Sequence, residues 1–303
     1  MQEVGPEHLS LARLRRECAA RGATEDNWSW NCYDAYGFHL QDLPLVVQAL
    51  DPPTHFRTPN GLFSGEEGVL LLLLRYRKPG TLLGLTWETG RNKAQLSEAI
   101  RFTVEHVHRR FPHRVDIRSF TAWARRFGDF AEAFSRRGVP IDNLVGFIDG
   151  KLNAVCRPSR YQHVLYSGHK RIHGLKVQGT VFPNGIQPFP FGPINGNRHD
   201  SHVLRESGIL DAMRTTCRQL GVNYVLFGDS AYPVSRHLWR MYKGVMTPQQ
   251  AAFNAAMSPE RVTVEWGFQK IVSLCTYMLL RVCSRALVRV CLMCLCRARV
   301  VPF

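Results

Sequence analysis

Two short apolar segments that each end on an aspartate constrain the fold of this chain more than any other feature. The segment VGFID ends at Asp149, and the segment NYVLFGD ends at Asp229. Runs of Val, Ile, Leu, Phe and Tyr of this length are typical of buried β-strands. A carboxylate at the end of a buried strand is costly unless a partner stabilises its charge. The sequence therefore predicts a buried sheet with an acidic side chain at the C-terminal tip of each of two strands.

A third acidic residue, Glu265, lies in a predicted helix among apolar neighbours. Carboxylate oxygens suit Mg²⁺, and two such ions can hold both oxygens of an in-line phosphoryl displacement. The pattern predicts a two-ion site in which Asp149 bridges the ions and Asp229 and Glu265 each hold one. Three ordinary roles stay open: an Asp-Gly turn at Asp149, a loop cap at Asp229 and an exposed helical acid at Glu265.

The charge of the chain indicates the kind of partner it binds. The 303 residues carry a net charge of +15 at pH 7. Such an excess favours a polyanion, most often nucleic acid, although a merely basic enzyme is the alternative. Apolar residues make up 45% of the chain, which is enough for a sizeable core. A P-loop phosphohydrolase is set aside because the sequence contains no G-x-x-x-x-G-K-[ST] motif.

The terminal segments and the cysteines indicate a reducing compartment without a membrane partner. The N-terminal segment is polar and lacks the apolar stretch of a secretory signal. Nine cysteines, an odd number, do not suggest a disulfide framework. Cys291-x-x-Cys294-x-Cys296 is not followed by a histidine pair, which disfavours a zinc site. The apolar stretch over 282–301 is interrupted by arginines, which disfavours a membrane span.

A helical, basic region is predicted over residues 61–138, after an N-terminal extension of residues 1–60. Ser64 can cap a first helix, Gly90 ends a short second helix, and a longer third helix is predicted over 91–111. This outline is typical of a helix-turn-helix unit, and a plain three-helix bundle is the alternative. The residues that open the third helix, where a recognition helix meets base edges, are Arg91, Asn92 and Lys93.

Residues 101–137 contain nine arginines and four acidic residues, with aromatic residues between them. One interpretation is a surface that contacts phosphate groups. The other is a solvated basic helix face whose aromatic residues lie in the core. Both hold together if the arginines and the aromatic residues occupy opposite faces.

The order of elements after residue 139 predicts a mixed α/β domain over 139–303. Strands are predicted up to Asp149, over 173–182 and over 186–194, then a helix over 201–220. The strand that ends at Asp229, a connection over 241–256 and a helix from Pro259 follow. Three strands, a helix, a strand and a helix, with acids at these places, form the order of an RNase H-like nucleotidyl-transfer domain.

Several motifs in this part of the chain resemble transposases of the PIF/Harbinger type and the nucleases derived from them. They occur in the order that the family shows: FIDGK, HGLKVQGTV, NGNRHDSHVL, LFGDSAYP, MTP, FN and RVTVEWGF. The likeness spans roughly residues 55–270. It implies an RNase H-like DDE endonuclease domain behind a helical N-terminal region, DNA cleavage and joining with Mg²⁺ or Mn²⁺, and Asp149, Asp229 and Glu265 as the acidic triad.

The resemblance also implies partners and further site residues. DNA is the expected partner, with a separate Myb-like DNA-binding protein, a nuclear location and a possible homo-oligomer. Asp200 follows His199 in a position where the family carries a His-Asp pair. Asp200 is interpreted either as a helix N-cap or as an accessory acid of the site, and His199 as a contact to DNA or to a ligand residue.

Four basic residues are further candidates. Arg261 lies four residues before Glu265 on one helix face, where it can hold a phosphate, orient the carboxylate or form a plain ion pair. Lys151 shares the face of Asp149 if the strand continues. The residues expected to follow a DNA backbone before the second strand are Lys170 and Arg171.

The tail over 270–303 departs from the family, because it is rich in Cys, Leu and Arg where the family has a polar tail. An altered reading frame and an amphipathic helix are both open interpretations. The tail supports an alternative function, a catalytically inactive transposase-derived module that binds DNA or protein.

Overall fold

The computed structural model of the protein describes residues 8–20, 32–78, 80–112 and 116–274. The chain forms two compact units, one up to Phe111 and the other from Pro112 to Ile271. This division precedes the predicted boundary at residue 138, so the arginine-rich segment is shared between the units. Among the described residues, no helix is long and apolar enough to cross a membrane. The predictions for residues 275–303, including their cysteines, lie outside the described residues.

The first unit consists of helices and one hairpin. Residues 32–36 are helical, and the two strands pair antiparallel around the turn at Pro59 and Asn60. The elements are α1 (Leu11–Ala20), α2 (Leu43–Leu50), β1 (His55–Thr58), β2 (Gly61–Ser64), α3 (Gly65–Arg77), α4 (Leu82–Thr89) and α5 (Lys93–Arg110).

Local capping explains the three predicted helices of this unit. The hydroxyl of Ser64 accepts from the Glu67 N–H at 3.0 Å and begins α3. Gly90 ends α4 in the left-handed region, with φ 69°. Asn92 and Gln95 form a reciprocal capping box, so α5 begins at Lys93 and not at Arg91 as predicted. The three helices are confirmed, whereas their arrangement as a helix-turn-helix stays a prediction.

The second unit is a mixed α/β structure, as predicted. Its helices are α6 (Ile117–Thr121), α7 (Phe127–Arg136), α8 (Gln162–Leu165), α9 (Asp200–Ser207), α10 (Ile209–Leu220) and α11 (Pro248–Leu274), with a 3₁₀ turn at Ala124–Arg126. Its strands are β3 (Leu144–Ala154), β4 (Tyr166–Ser167), β5 (Ile172–Val181), β6 (Phe191–Asn195), β7 (Val225–Gly228) and β8 (Leu238–Arg240).

Strand β3 lies at the centre of the sheet. The order is β4-β5-β3-β7-β8, and β6 also pairs with β5. The β3–β5 pair is antiparallel, whereas β7 is parallel to both β3 and β8. The C-terminal ends of β3, β7 and β8 therefore point to the same edge.

Helices cover both faces of this sheet. One apolar cluster joins α6, α7, α9 and α10 to side chains such as Ile148 and Leu226. The other joins α7 and α11 to side chains such as Phe147 and Phe227. Because neighbouring strand residues alternate between the two clusters, the sheet is buried on both sides, as its continuous apolar runs predict.

Several predicted elements of this unit need correction. Strand β3 continues to Ala154 because β5 pairs with it over its whole second half. The helix predicted over 201–220 is two helices, divided by Gly208 at φ 67°. The strand predicted over 186–194 is regular only in β6. The connection predicted over 241–256 is helical from Pro248, because Thr247 and Gln250 cap α11 reciprocally.

Candidate active site

Asp149 and Asp229 lie side by side at the sheet edge because their strands are parallel neighbours. The register pairs Ile148 with Gly228, so the two aspartates occupy the next position on each strand. Asp229 follows the last residue of β7 and accepts from the Ala231 N–H at 2.8 Å. Asp149 lies within β3, at the point where the pairing with β7 stops and the pairing with β5 continues. The Asp-Gly turn is therefore wrong for Asp149.

Helix α11 crosses the face of the sheet to which the Asp149 side chain points. Asp149 pairs in register with Gly179 of β5. A Cβ atom at Gly179 would lie 2.7 Å from the Phe268 ring, so α11 approaches this point closely because position 179 lacks a side chain. Phe268 is 5% exposed. This contact fixes α11 above the register partner of Asp149.

Glu265 shares a face of α11 with Arg261 and Phe268. It is three residues before Phe268 and four residues after Arg261, spacings that share one helix face. Burial raises the pKa of Asp149, and the positive charge of Arg261 opposes that rise, which places Arg261 near that carboxylate. Glu265 therefore lies between Arg261, whose charge acts on Asp149, and Phe268, which packs against the register partner of Asp149.

The Glu265 carboxylate itself is turned to Arg261. The Arg261 Nη2 lies 3.4 Å from Glu265 Oε1, and the Glu265 side chain is 53% exposed. Among the described residues, no three acidic, histidine or cysteine side chains are close enough to hold one ion. The structure brings Asp149 and Asp229 together and places Glu265 on the facing helix, with its carboxylate outside the cluster.

The surroundings of Asp149 favour the protonated form of its carboxyl group. Burial raises the pKa of Asp149 to about 6, and the nearby charges of Asp229 and Asp200 add to this rise. The Gly150 N–H, which donates to Asp149 Oδ1 at 2.8 Å, and the Arg261 charge oppose it. A carboxyl group held in this way favours either a proton or a cation.

Asp200 approaches the same strand from the opposite face of the sheet. A Cβ atom at Gly150 would lie 2.6 Å from Asp200 Oδ1, and residue 150 faces away from the side of residue 149. Asp200 also lies 2.9 Å from Lys176 Nζ. Helix α9 is capped by His199 without a side-chain bond, so the N-cap interpretation of Asp200 is wrong. The accessory position fits, with Lys176 offsetting the charge.

Sequence reasoning missed Tyr232, whose ring fills the space left by two glycines. A Cβ atom at Gly228 would lie 2.8 Å from the ring, and a Cβ atom at Gly150 would lie 3.6 Å from the hydroxyl. Tyr232 is 1% exposed, and its hydroxyl has no hydrogen-bond partner among the described residues. Burial, with the charges of Asp200 and of the other two aspartates, raises its pKa. The motif LFGDSAYP contains this tyrosine, but only the contacts reveal its position.

The other predicted residues of this unit occupy varied surroundings. His199 is exposed. Lys151 shares the face of Asp149, as predicted for a continuing strand, but it lies over the Phe268 ring at 5.9 Å. Burial lowers the pKa of Lys151. Lys170 and Arg171 are exposed in the turn between β4 and β5, where Arg171 has a φ of 53°.

The structure corrects the prediction that Arg91, in the first unit, meets base edges of DNA. Its guanidinium donates to both carboxylate oxygens of Glu67, each at 2.8 Å, and to Leu62 O at 3.1 Å. Arg91 is 6% exposed. A side chain so engaged supports the core of its unit and is not free to reach a base edge. Asn92 uses its side chain in the capping box, and Lys93 is exposed.

The arginines of residues 101–137 are mostly exposed and paired, whereas the aromatic residues lie in the core. Surface pairs of this kind contribute little to stability. Phe120, Phe127 and Phe134 are buried. The arginines paired with carboxylates are Arg101, Arg110, Arg118, Arg126, Arg136 and Arg137.

The carboxylate groups at the sheet edge are of the chemical type that binds divalent cations. Asp149 and Asp229 present hard oxygen atoms beside one another, and burial, with the nearby charge of Asp229, raises the pKa of Asp149. Asp149 and Asp229 would hold the ion, whereas the Glu265 carboxylate is turned to Arg261. Among the described residues, Arg261 is the basic residue whose charge acts on Asp149.

Comparison with known proteins gives one family match. Residues 148–291 match the family described as DDE superfamily endonuclease, which supports placing this segment in that superfamily. The match begins one residue before Asp149 and includes Asp229 and Glu265. The comparison with curated proteins gives no match. The comparison with solved structures also gives none.

Proposed function

We propose that this protein is a divalent-metal-dependent DNA endonuclease of the transposase type, with Asp149, Asp229 and Glu265 as its acidic residues. The observation that carries this proposal is the adjacent placement of Asp149 and Asp229, inside a segment that matches DDE endonucleases. The family supports nuclease chemistry in general. The Harbinger subtype rests on the order of motifs from FIDGK to RVTVEWGF, and the RNase H-like fold on the order of strands and helices around the acids.

The residues of the site have separate roles in this proposal. Two bound Mg²⁺ or Mn²⁺ ions would activate the attacking water or 3′-hydroxyl and support the leaving oxygen. Asp149 and Asp229 hold the cations at the sheet edge, and Glu265 completes the set from α11. Arg261 offsets negative charge beside Asp149 and orients the Glu265 carboxylate through their contact. Positioning and electrostatics dominate such chemistry, because the protein supplies no covalent step.

The decisive experiment measures nicking of supercoiled DNA by the full chain with Mg²⁺ or Mn²⁺. Asp149→Asn keeps the size of the side chain and removes its charge, so we expect cleavage to fall by at least about 100-fold. DNA binding in a chelator should survive.

The matched control is Asp142→Asn, the same change at an exposed position of the loop before β3. This variant should cleave like the unmodified protein. Equal cleavage by Asp149→Asn and Asp142→Asn would rule out the proposed mechanism.

A second candidate is a DNA- or protein-binding module that has lost catalysis. The observation that favours it is the outward Glu265 carboxylate, which pairs with Arg261 and leaves Asp149 and Asp229 without a third ligand. A folded protein that binds DNA but shows no metal-dependent cleavage would support this candidate. Arg261→Gln separates the two further, because freeing Glu265 should alter cleavage in an enzyme and change nothing in a binding module.

A further inference from the structure

A pocket lies in the same unit as the candidate active site, at the edge of the sheet opposite the aspartates. It has a volume of about 420 Å³. Its walls come from the end of α10, the connection to β7 and the turn before β8. The residues that line it are Leu210, Arg214, Cys217, Arg218, Gly221, Val222, Asn223, Ser235, Arg236 and His237.

The parallel strands fix the separation of this pocket from the acidic site. Asn223 and His237 precede β7 and β8, whereas Asp229 follows β7. Asp229 is six positions after Asn223, and an extended chain of six steps spans roughly 20 Å. The two sites therefore belong to one sheet but to opposite ends of its strands, and neither contributes a residue to the other.

The charge of this pocket is strongly positive. Three arginines line it and no acidic residue does. Arg214 pairs with Asp211 at 2.9 Å, but both side chains are more than half exposed, so this pair is weak. Arg236 donates from Nε to Asn223 Oδ1 at 3.0 Å. Arg218 is exposed, and within the described part of the chain its side chain has neither a hydrogen bond nor an ion pair.

The polar atoms at the base of the pocket include an orphan hydroxyl. Ser235 Oγ is buried and has no hydrogen-bond partner among the described residues. His237 is 6% exposed, and its Nδ1 lies 3.0 Å from Tyr224 O. A carbonyl oxygen only accepts, so Nδ1 carries the proton in this contact. A buried hydroxyl without a partner is unfavourable unless a ligand pairs with it.

The remaining wall is apolar, and the pocket is larger than one anion requires. Leu210, Cys217 and Val222 form this wall, and burial raises the pKa of the Cys217 thiol, so Cys217 stays neutral. A space of this size lies within the usual range for small-ligand sites. It admits a phosphate group against the arginines together with the sugar attached to it.

We propose that this pocket binds a phosphate group of a DNA strand, away from the site of cleavage. Guanidinium groups match the geometry of phosphate oxygens, and the net charge of +15 favours a polyanion. The choice of DNA rests on the proposed function. Arg218 and Arg236 contact the phosphate, Ser235 donates its unpaired hydroxyl, and the apolar wall packs against the sugar.

The test measures binding of a fluorescent duplex oligonucleotide to the full chain in EDTA between 50 and 200 mM salt. Arg218→Gln should weaken binding about 10-fold at the low-salt end. It should also reduce the slope of log affinity against log salt by about 0.9, the value for one lost phosphate contact. Ser235→Ala should weaken binding about threefold without changing the slope, because the serine carries no charge.

The matched control is Arg15→Gln, which removes the same charge from an exposed arginine of α1. It should leave both affinity and slope unchanged. If Arg15→Gln and Arg218→Gln have equal effects, net charge alone accounts for binding and the pocket is not a site. An unchanged affinity and slope in Arg218→Gln would also overturn the proposal.

Two competitors identify the occupant. Adenosine monophosphate should displace the duplex far less well than unlabelled DNA at equal phosphate concentration; equal displacement would make the pocket a free-nucleotide site and overturn the assignment to a strand. A polyglutamate peptide whose binding depends on Arg218, beside DNA binding that does not, would assign the pocket to an acidic protein instead.

The outcome is separable from that of the proposed function. Cleavage by the unmodified protein with Mn²⁺ tests the acidic site, whereas every binding measurement here is made without metal. If DNA binding depends on Arg218 and no cleavage occurs, the pocket stands and the nuclease proposal fails. If cleavage occurs and Arg218→Gln binds DNA normally, the nuclease proposal stands and the pocket proposal fails.

Discussion

The two units of this protein each bury charged side chains, but they do so in opposite ways. In the first unit, Arg91 and Glu67 satisfy each other, with side-chain exposures of 7% and 3%. In the second unit, Asp149 lies beside Asp229, and Arg261 only partly offsets their charge. A buried pair that is fully satisfied supports a fold, whereas adjacent like charges reduce stability and are typical of places that bind a ligand.

The largest change in stability is expected from removing one partner of the buried Arg91–Glu67 ion pair. Arg91→Ala leaves the buried Glu67 carboxylate without its partner, which should lower the free energy of unfolding by about 3–5 kcal/mol. Chemical denaturation of the full chain measures this loss.

The double variant Arg91→Met, Glu67→Leu is the control for this prediction. It replaces both charges with apolar groups of similar size, and it should recover most of the lost stability. A loss below about 1 kcal/mol in Arg91→Ala would show that Glu67 is not effectively buried.

Removing the charge of Asp149, beside Asp229, should raise the free energy of unfolding, whereas Arg91→Ala lowers it. The pKa of Asp149 is about 6 in the folded protein and 3.8 without the fold, so the folded state retains the proton more strongly between these values. Stability therefore decreases as the pH rises through this window. Asp149→Asn escapes this loss, and it should be more stable than the unmodified protein by up to about 3 kcal/mol at pH 7 and by almost nothing below pH 4.

Denaturation curves across pH 4–8 without metal check this prediction, with Asp142→Asn as the exposed control. The control should show no such pH-dependent gain. A stability difference for Asp149→Asn that is the same at every pH would mean that Asp149 is solvated like an ordinary surface acid.

A divalent cation bound at Asp149 and Asp229 should stabilise the folded protein, because it offsets their negative charge. At an Mn²⁺ concentration ten times its dissociation constant, the folded state gains about 1.4 kcal/mol. Thermal unfolding with Mn²⁺ and with EDTA measures this gain, which should disappear in Asp149→Asn. An equal shift in both proteins would assign the ion to another part of the chain.

The smallest change in stability is expected at Tyr232, an uncharged side chain buried near the same aspartates. Tyr232→Phe keeps the ring beside Gly228 and removes a buried hydroxyl without a partner, so the free energy of unfolding should rise by up to about 1 kcal/mol. Denaturation at pH 7 measures the change. A decrease of similar size would show that the hydroxyl donates to Asp200 in solution.

The sequence carried enough information to predict elements that depend on local chemistry. The caps at Ser64 and Gly90 and the apolar run before Asp229 act within a few residues, and the elements they mark are present. The hairpin of β1 and β2 and the short strand β8 were not predicted. The second half of β3 was also missed, because its residues become a strand only through pairing with β5, about 20 residues later in the chain.

The same division holds at the candidate site. Asp149 and Asp229 were found because an acid after an apolar run is visible locally, and the structure brings them together. The contact of Asp200 with Lys176 and the position of Tyr232 against two glycines are not visible locally, since each joins distant segments. The burial of Arg91 was missed for this reason too: its partner Glu67 lies on another helix.

The central place of β3 has a consequence during synthesis. Strand β5 can cover one side of β3 as soon as residue 181 is made, but the other side waits for β7, roughly 80 residues after Val145. At about 5–20 residues per second, a ribosome leaves that apolar edge open for about 4–16 s. An open apolar edge pairs readily with other chains. Shortened products that stop before residue 225 never cover it, and they are expected to aggregate where the full chain folds.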